Sequence, residues 1–535
     1  MTLSTPLFFN NAGPSVPSLN YMIDPLTRIE LAKIERLIAR QRYFVLHAPR
    51  QTGKTTCLLA LMDYLNEQGN YVALYANIER AQTAREHVRY GIDAVVEAIA
   101  SAAGVYLKNK RLLTWLQTQR QHYAADSLLH ALLQYWSEES TKPTVLFLDE
   151  IDALIGDTLI SVLRQIRGGY AQRPAAFPIS IILCGVRDVR DYRITSKDNE
   201  IITGGSAFNI KATSLRLGNF TEDEVIALWQ QHTATTGQTF AAAIFPELWQ
   251  DTCGQPWLVN ALADTLTSDI PHLSDPNSPI TLEDYRAARE MLIQSRATHL
   301  DQLIDKLKEP RVHRVMSAIL SSADDDADIP PDDLQYVTDL GLITLRPTTQ
   351  IANRIYQETV PRELSWSKQM MITHQQHWYL TPERRLDMPK LLAAFQQFFR
   401  EQSDVWIQQI DYKEAGPQLL LQAFLQRIVN GGGRISREYG LGRKRTDLYI
   451  EWPLDEQAGL RGEVQRIVLE LKIRYGTLKT TLQKGLIQTA DYAAHCGADE
   501  AHLIIFDRRL EVPWDKKIWY EPNTQDGQEI TVWGL

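Results

Sequence analysis

Tyr43-Phe-Val-Leu-His-Ala-Pro-Arg-Gln-Thr-Gly-Lys-Thr-Thr56 is the stretch whose reading decides the fold of this chain. Its first five residues form a short apolar run that reads as a buried strand, and Cys57, Leu58, Leu59, Leu61 and Met62 beyond it give the apolar side of a helix. Strand, loop and helix in that order let backbone N–H groups at a helix N-terminus converge on an anion. The loop residues Ala48, Pro49, Arg50, Gln51, Thr52, Gly53, Lys54, Thr55 and Thr56 are therefore the phosphate-cradling set. Gly53 lets the backbone approach closely, Lys54 reaches the β- and γ-phosphates, and Thr55 ligates Mg²⁺. Ala48 stands where the usual pattern has its first glycine, a departure that position and context outweigh.

Outward from the loop, short strand patterns recur at Tyr71 to Tyr75, Val145 to Leu148 and Ile179 to Cys184, with helical stretches such as Leu128 to Trp136 and Leu159 to Ile166 between them. This alternation predicts a parallel α/β sheet. Val145-Leu-Phe-Leu-Asp-Glu150 delivers two carboxylates at a strand's C-terminal end, where open α/β sheets bind ligands. Asp149 is read as holding the metal through water and Glu150 as the base that polarises the attacking water. Arg187, in Gly185-Val-Arg-Asp-Val-Arg-Asp-Tyr-Arg193, should emerge at the same sheet edge as a sensor of the γ-phosphate, or else belong to a solvated loop of paired charges. Arg164 and Arg167 read as a solvated helix face or as the arginine finger of an oligomer.

Asn11-Ala-Gly-Pro14, the run Phe44 to Thr56, Gly185 to Asp191 and Gly254-Gln-Pro256 together resemble the bacterial AAA-like ATPases related to archaeal and STAND NTPases. The resemblance spans about residues 5 to 365 and takes in Ile351-Ala-Asn-Arg-Ile-Tyr356. It implies an ATP-driven switch in which a helical lid and a winged helix close over the nucleotide, often in a homo-oligomer. Helical patterns from Thr221 to about residue 310 fit the lid. The helices Val312 to Leu320 and Asp332 to Leu340, around an acidic loop at Asp324 to Asp328, and a strand at Leu342 to Leu345 fit the winged-helix-like unit. The acidic loop would repel phosphates.

A second chemistry is written near the C-terminus in Gly442-Arg-Lys-Arg-Thr-Asp-Leu-Tyr-Ile450 and Ile467-Val-Leu-Glu-Leu-Lys472. Glu470 and Lys472 share one face of a strand, because side chains alternate with period two. With Asp447 opening the preceding strand, two carboxylates and an ammonium can meet at one point, as phosphodiester hydrolysis requires. Asp447 and Glu470 hold Mg²⁺, and Lys472 orients water or stabilises developing charge. Taken alone, Glu-x-Lys reads first as a buried strand with one Glu and one Lys facing solvent, and the context of Asp447, Gln488 and Tyr492 changes that weighting. Gln488 and Tyr492 follow at i and i+4 on a helix.

This order resembles the PD-(D/E)XK nuclease superfamily over about residues 380 to 510, with Gln488 and Tyr492 like the Gln-x-x-x-Tyr element of RecB-type members. Thr446 replaces the usual proline. The additional acidic residue is Glu438 or Glu414. Arg434, Arg437, Arg443, Lys444 and Arg445 supply local positive potential for a nucleic-acid backbone, or keep an edge strand soluble. Trp452, Trp514 and Trp519 read as core or rim packing before base stacking.

The 535 residues are long enough for several domains, and 44% hydrophobic with 23% charged residues excludes a disordered or fibrous chain. The formal charge of −9 excludes a uniformly basic coat, so DNA contact must be regional. Four dispersed cysteines exclude a disulfide framework, and the absence of an apolar leader or long apolar run points to a cytoplasmic protein without a membrane partner. The expected organisation is a P-loop ATPase core (1–215), helical lid (216–300), winged-helix-like unit (301–364), linker (365–380) and restriction-endonuclease-like α/β domain (381–535).

The expected function is an ATP-hydrolysing switch, with ATP and Mg²⁺ as cofactors. Its nucleotide state governs a Mg²⁺-dependent nuclease with DNA as favoured substrate, as in a mobile-element or antiphage-defence effector. The alternative is an ATP-dependent scaffold whose nuclease-like domain only binds nucleic acid. A DNA translocase ranks last, since no strand-separating motif is present.

Overall fold

Fully apolar strands such as Val145-Leu-Phe-Leu148 can be stable only with both faces covered, and this dictates the architecture of the first half of the chain. The computed structural model describes residues 6–186, 193–195, 201–203, 210–295, 298–320, 329–346, 349–364, 379–409, 421, 424–425, 433–438, 447–455, 458–474, 476–507, 509 and 512–535. They divide into two compact units, residues 1–294 with 338–342, and residues 295–337 with 343–535.

In the first unit, β1 (Phe8–Phe9) and β2 (Asn20–Tyr21) pair in parallel. The main sheet contains β3 (Tyr43–His47), β4 (Val72–Asn77), β5 (Thr144–Asp149) and β6 (Ser180–Gly185). A small antiparallel pair, β7 (Arg193–Thr195) and β8 (Ile201–Thr203), precedes its last strand, β9 (Lys211–Arg216). The order β4-β5-β6-β3-β9 is parallel throughout. One strand, β6, therefore stands between the loop-bearing β3 and the acidic β5. Alternate residues face opposite cores. Leu146 and Leu148 pack with Val95, Ile99 and Leu163, whereas Val145 and Phe147 pack with Leu58, Leu61 and Ile38. Polar Lys211-Ala-Thr-Ser-Leu-Arg216 lacks the apolar run that marks the other strands, and no strand was expected there.

The expected helical stretch after Thr221 contains helices Glu222–Thr236, Ile244–Thr252, Pro256–Asp264 and Leu282–Gln294, with only an isolated bridge, Phe240 to Ile280, among its described residues. Thr221 and Glu224 close a capping box at the first, and Gln255 with Pro256 at N1 starts the third. Trp229, Tyr285 and the buried Arg289–Asp251 ion pair (2.9 Å) occupy its interior.

The second unit begins with helices Thr298–Leu307 and Pro310–Leu320. Further on, the hairpin of β10 (Ile343–Thr344) and β11 (Gln350–Ile351) leads into helix Arg354–Leu364. Asp324 to Asp328 and linker residues 365–378 lie outside the described residues. Helix Met388–Gln409 precedes the C-terminal strands. A six-stranded sheet follows: β12 (Arg434–Glu438), β13 (Asp447–Pro453), β14 (Val464–Ile473), β15 (Glu500–Phe506), β16 (Trp519–Gln525) and β17 (Gln528–Gly534). The order is β12-β13-β14-β15-β17-β16, with β12, β13 and β14 an antiparallel meander and β14, β15 and β17 parallel. Helix Leu478–Cys496 joins β14 to β15. Ile467, Leu469 and Leu471 face the core built by Leu391 and Phe395, and Leu503 and Ile505 face Leu486, Ala490 and Ala493.

Candidate functional site

The loop after β3 ends at Gly53, whose φ of +82° is the left-handed conformation that only glycine adopts without strain. Helix Lys54–Gln68 starts there, so its first N–H groups have no intrahelical acceptor and face the loop's interior. Ala48 is fully buried and its N–H donates to Gly185 O at 3.0 Å, so a small residue suffices where a glycine is usual. Thr52 is buried, and its hydroxyl donates to Pro49 O at 2.8 Å. Arg50 is exposed.

Across the sheet, β5 ends in buried Asp149, and Glu150 adopts a left-handed φ of +61° that turns the chain at once. A non-glycine residue in this conformation stores about 1 kcal/mol of strain, the kind that accumulates at functional sites. Lys54 Nζ lies 3.1 Å from Asp149 Oδ1 and 3.2 Å from Glu150 Oε1. Thr55 Oγ1 donates to Asp149 Oδ2 at 3.1 Å, and Tyr75 Oη donates to the same oxygen at 3.0 Å. Burial alone would lower the Lys54 pKa, but Asp149 and Glu150 outweigh it and hold it above its ordinary value. Burial, reinforced by Asp149, raises that of Tyr75. The Thr55 hydroxyl and the Asp149 carboxylate are adjacent hard oxygen donors, a set that suits Mg²⁺. Arg187 lies outside the described residues, and Arg164 and Arg167 lie exposed on helix Gly156–Gly168.

Beside Gly53 and Thr56 opens a cleft. Asn10, Asn11, Met22, Arg28 and Trp257 are among its lining residues, and none of them was singled out as a site residue by sequence. The lead-in marked by Pro6, Gly13, Pro14, Pro17 and Pro25 is tied to the loop helix by Ser15 N donating to Thr56 Oγ1 (3.1 Å) and to the helical part by Trp257 Nε1 donating to Asn11 O (2.7 Å). Arg28 donates to Thr52 O (2.8 Å) and Gly218 O (2.9 Å) with its guanidinium 4.5 Å from the Phe220 ring centre. Gly254, at φ +68°, comes so close to Phe220 that a Cβ would lie 2.0 Å from its carbonyl oxygen. The sequence signals for this wall are Asn11-Ala-Gly-Pro14 and Gly254-Gln-Pro256. Arg28 looks like any surface arginine until the chain returns 190 residues later.

In the second unit, register places Glu438 opposite Asp447 and Asp447 opposite Glu470, one row across three strands. Glu470 is 2% exposed and forms an ion pair with Lys472, which is partly exposed. Gln488 and Tyr492 are half-buried on helix Leu478–Cys496, beside the buried Thr489, Ala490 and Ala493. Arg443, Lys444, Arg445 and Glu414 lie outside the described residues. Trp452 is in the core, its indole N–H donating to Arg384 O at 2.8 Å, and Trp514 and Trp519 are half-buried. All four cysteines are free, and no helix among the described residues is long and apolar enough to cross a membrane.

Comparison with known proteins gives one family match, to the AAA domain over residues 38–192. No curated protein matches. Among solved structures, a Walker-type ATPase of Pyrococcus abyssi is similar over 66% of this chain and 99% of its own, at 15% identity and a TM-score of 0.47. Cdc6p of Pyrobaculum aerophilum is similar over 75% and 93%, at 14% identity and 0.37. A RuvB variant of Thermotoga maritima is similar over 62% and 92%, at 14% identity and 0.32. The matched segment holds the Gly53-Lys54-Thr55 loop, the Asp149–Glu150 strand end and the parallel sheet that joins them, and the N-terminal part of this chain is an AAA-type P-loop ATPase domain.

Proposed function

We propose that this chain is an ATP-governed nuclease. In its N-terminal part, ATP lies with its phosphates on the loop 48–56 and its base in the cleft between the lead-in and Trp257. The observation that carries this is the meeting of Lys54, Thr55, Asp149 and Glu150, from positions up to 96 residues apart, at one sheet edge. Lys54, now held by two carboxylates, would turn to the β- and γ-phosphates. Glu150, released from Lys54, would accept a proton from the attacking water, with Asp149 and Thr55 as the Mg²⁺ positions. Arg187 is retained as the γ-phosphate sensor, and residues 216–300 as the lid.

In the C-terminal part, 381–535, the helix, antiparallel meander, helix and parallel strand follow the order expected of a restriction-endonuclease-like core. The supporting observation is the Glu438–Asp447–Glu470 row with Lys472 paired to Glu470. Asp447 and Glu470 are the Mg²⁺ positions, and Lys472 would orient water toward the scissile phosphate. Bound Mg²⁺ would at both sites offset negative charge on phosphate oxygens. DNA is the proposed substrate, residues 301–364 act as a winged-helix-like regulatory element, and the biological setting is cytoplasmic defence or a mobile element.

The test is cleavage of labelled linear and circular DNA with Mg²⁺, with and without ATP, by the wild type, Lys54→Ala and Lys472→Ala. Loss of cleavage in Lys472→Ala, with a changed ATP response in Lys54→Ala, is the expected outcome. No cleavage under any condition, with ATP hydrolysis intact, would leave a switch or scaffold that only binds nucleic acid.

A further inference from the structure

The proposed C-terminal site continues along its own strand into a charge cluster that the hydrolytic reading does not use. Arg474 N donates to Phe506 O at 2.9 Å, so the β14–β15 ladder persists one residue beyond β14. The period-two alternation therefore reaches Arg474, which falls on the face of Glu470 and Lys472, about 13 Å along the strand from Glu470. Asp507 directly follows the neighbouring β15 and binds two arginines at once. Arg474 Nη1 donates to Asp507 Oδ2 at 2.9 Å, while Arg509 donates through Nε to Oδ1 (2.9 Å) and through Nη2 to Oδ2 (2.6 Å).

The burial gradient indicates what this cluster presents to solvent. The Asp507 side chain is 9% exposed, that of Arg474 18% and that of Arg509 43%. Counted over these three side chains alone, one buried carboxylate under two more exposed guanidiniums sums to one positive charge, and the Asp507 N–H donates to Leu535 O beside them. Hydrogen bonds from Arg509 first, set against burial, hold the Asp507 pKa down to about 2, so the carboxylate stays ionised and the guanidiniums stay fixed. Asp507 takes one N–H from Arg474 and two from Arg509, and Arg474 Nε also donates to Gly476 O at 3.4 Å. The next helix, Leu478–Cys496, adds its N-terminus, which carries Lys479 and no acidic residue in its first turn. In a chain of net charge −9 this cationic edge is not a consequence of composition.

We infer that Arg474 and Arg509, held by Asp507, form a backbone-phosphate clamp for a DNA strand whose next phosphates reach Glu470 and Lys472. A guanidinium fixed by a carboxylate meets a phosphate with little further loss of side-chain freedom, and its planar fork matches two phosphate oxygens. The choice of polymer rests on the phosphodiesterase reading, whereas the clamp itself is testable by binding alone.

The experiment is equilibrium binding of fluorescent single- and double-stranded DNA to the full chain, with Ca²⁺ replacing Mg²⁺, between 50 and 200 mM salt. Wild type, Arg474→Gln, Arg509→Gln and Arg474→Lys are compared, with circular dichroism as the check on folding. Each glutamine variant should bind several-fold more weakly at 100 mM salt and lower the slope of log K against log salt by about 1. Arg474→Lys should restore the slope, because it restores the charge. An unchanged slope in both glutamine variants, or a wild type that does not bind DNA, overturns the clamp. Altered slopes without cleavage in any condition would uphold the clamp and remove the phosphodiesterase reading.

Discussion

Two regions of this molecule place acidic and basic side chains at the ends of sheet strands, but enclose them differently. In the nucleotide site, Asp149 is completely buried and Lys54 nearly so, with Tyr75, Thr55 and Glu150 converging on them within 3.2 Å. In the C-terminal sheet, Glu470 is buried, but its partner Lys472 is partly exposed, and Arg474 and Arg509 lead the row outward to solvent. A small mobile ligand can be engulfed by a parallel sheet with helices on both faces. Under the proposed function a polymer would pass across the C-terminal row, which is the more exposed of the two at one end. The difference teaches that similar acidic and basic side chains at strand ends can be enclosed to very different degrees, and under the proposed function that enclosure would separate a nucleotide pocket from a polymer track.

The strongest way to break this comparison is to remove each lysine in turn. Lys54→Ala is expected to lower ATP turnover by about 10²- to 10³-fold, as loss of a preorganised charge at developing phosphate charge does, with DNA binding unchanged. Phosphate release and DNA anisotropy measure the two. Lys472→Ala should lower Mg²⁺-dependent cleavage by about 10²-fold or more while ATP turnover stays at the wild-type value. Parallel loss of both activities in Lys472→Ala would mean that the two sites are not separate.

A smaller effect sharpens the role of enclosure. Gly254→Ala places a Cβ against Phe220 O in a left-handed backbone and should cost about 2 kcal/mol, read as an earlier thermal transition of the first unit. ATP affinity should fall with it, since Phe220 lines the cleft. An unchanged melting profile would count against the close packing at this turn.

The smallest expected effect concerns acid. His299 is buried beside Tyr356 in the second unit, and burial lowers its pKa from 6.5 to about 3. Between those values the unfolded chain binds the proton and the folded chain does not, so this contribution is fully present above pH 6.5 and declines as pH falls toward 3. Denaturant titrations at pH 7 and 5 should show the second unit weakening, with a shallower decline in His299→Gln. Equal pH dependence in wild type and variant would refute the assignment.

Much of the nucleotide site was legible because its signals are local. Tyr43 to Thr56 carries strand, loop and helix within 14 consecutive residues, and Val145 to Glu150 ends an apolar run in two acids. The Glu470–Lys472 spacing was legible for the same reason, since strand period is a property of neighbours. In the lead-in only Asn11-Ala-Gly-Pro14 gave a signal, as part of a family resemblance, because Asn10, Asn11 and Met22 acquire their place in the cleft from Trp257 and Gln231, more than 200 residues away. Strand β9 was missed because its alternation is too polar to stand out from a loop.

By itself, then, the sequence determined the elements and the chemistry each can offer: a phosphate-cradling turn, an acid-tipped strand and a Glu-x-Lys strand. These follow from backbone preference and side-chain period within a few residues. Only the tertiary structure decided which distant groups share a point: Lys54 with Glu150 across 96 residues, Arg28 with Gly218 across 190, and Arg474 with Asp507 across 33. Such pairings depend on how the whole chain closes its loops around two cores, and no local pattern encodes that closure.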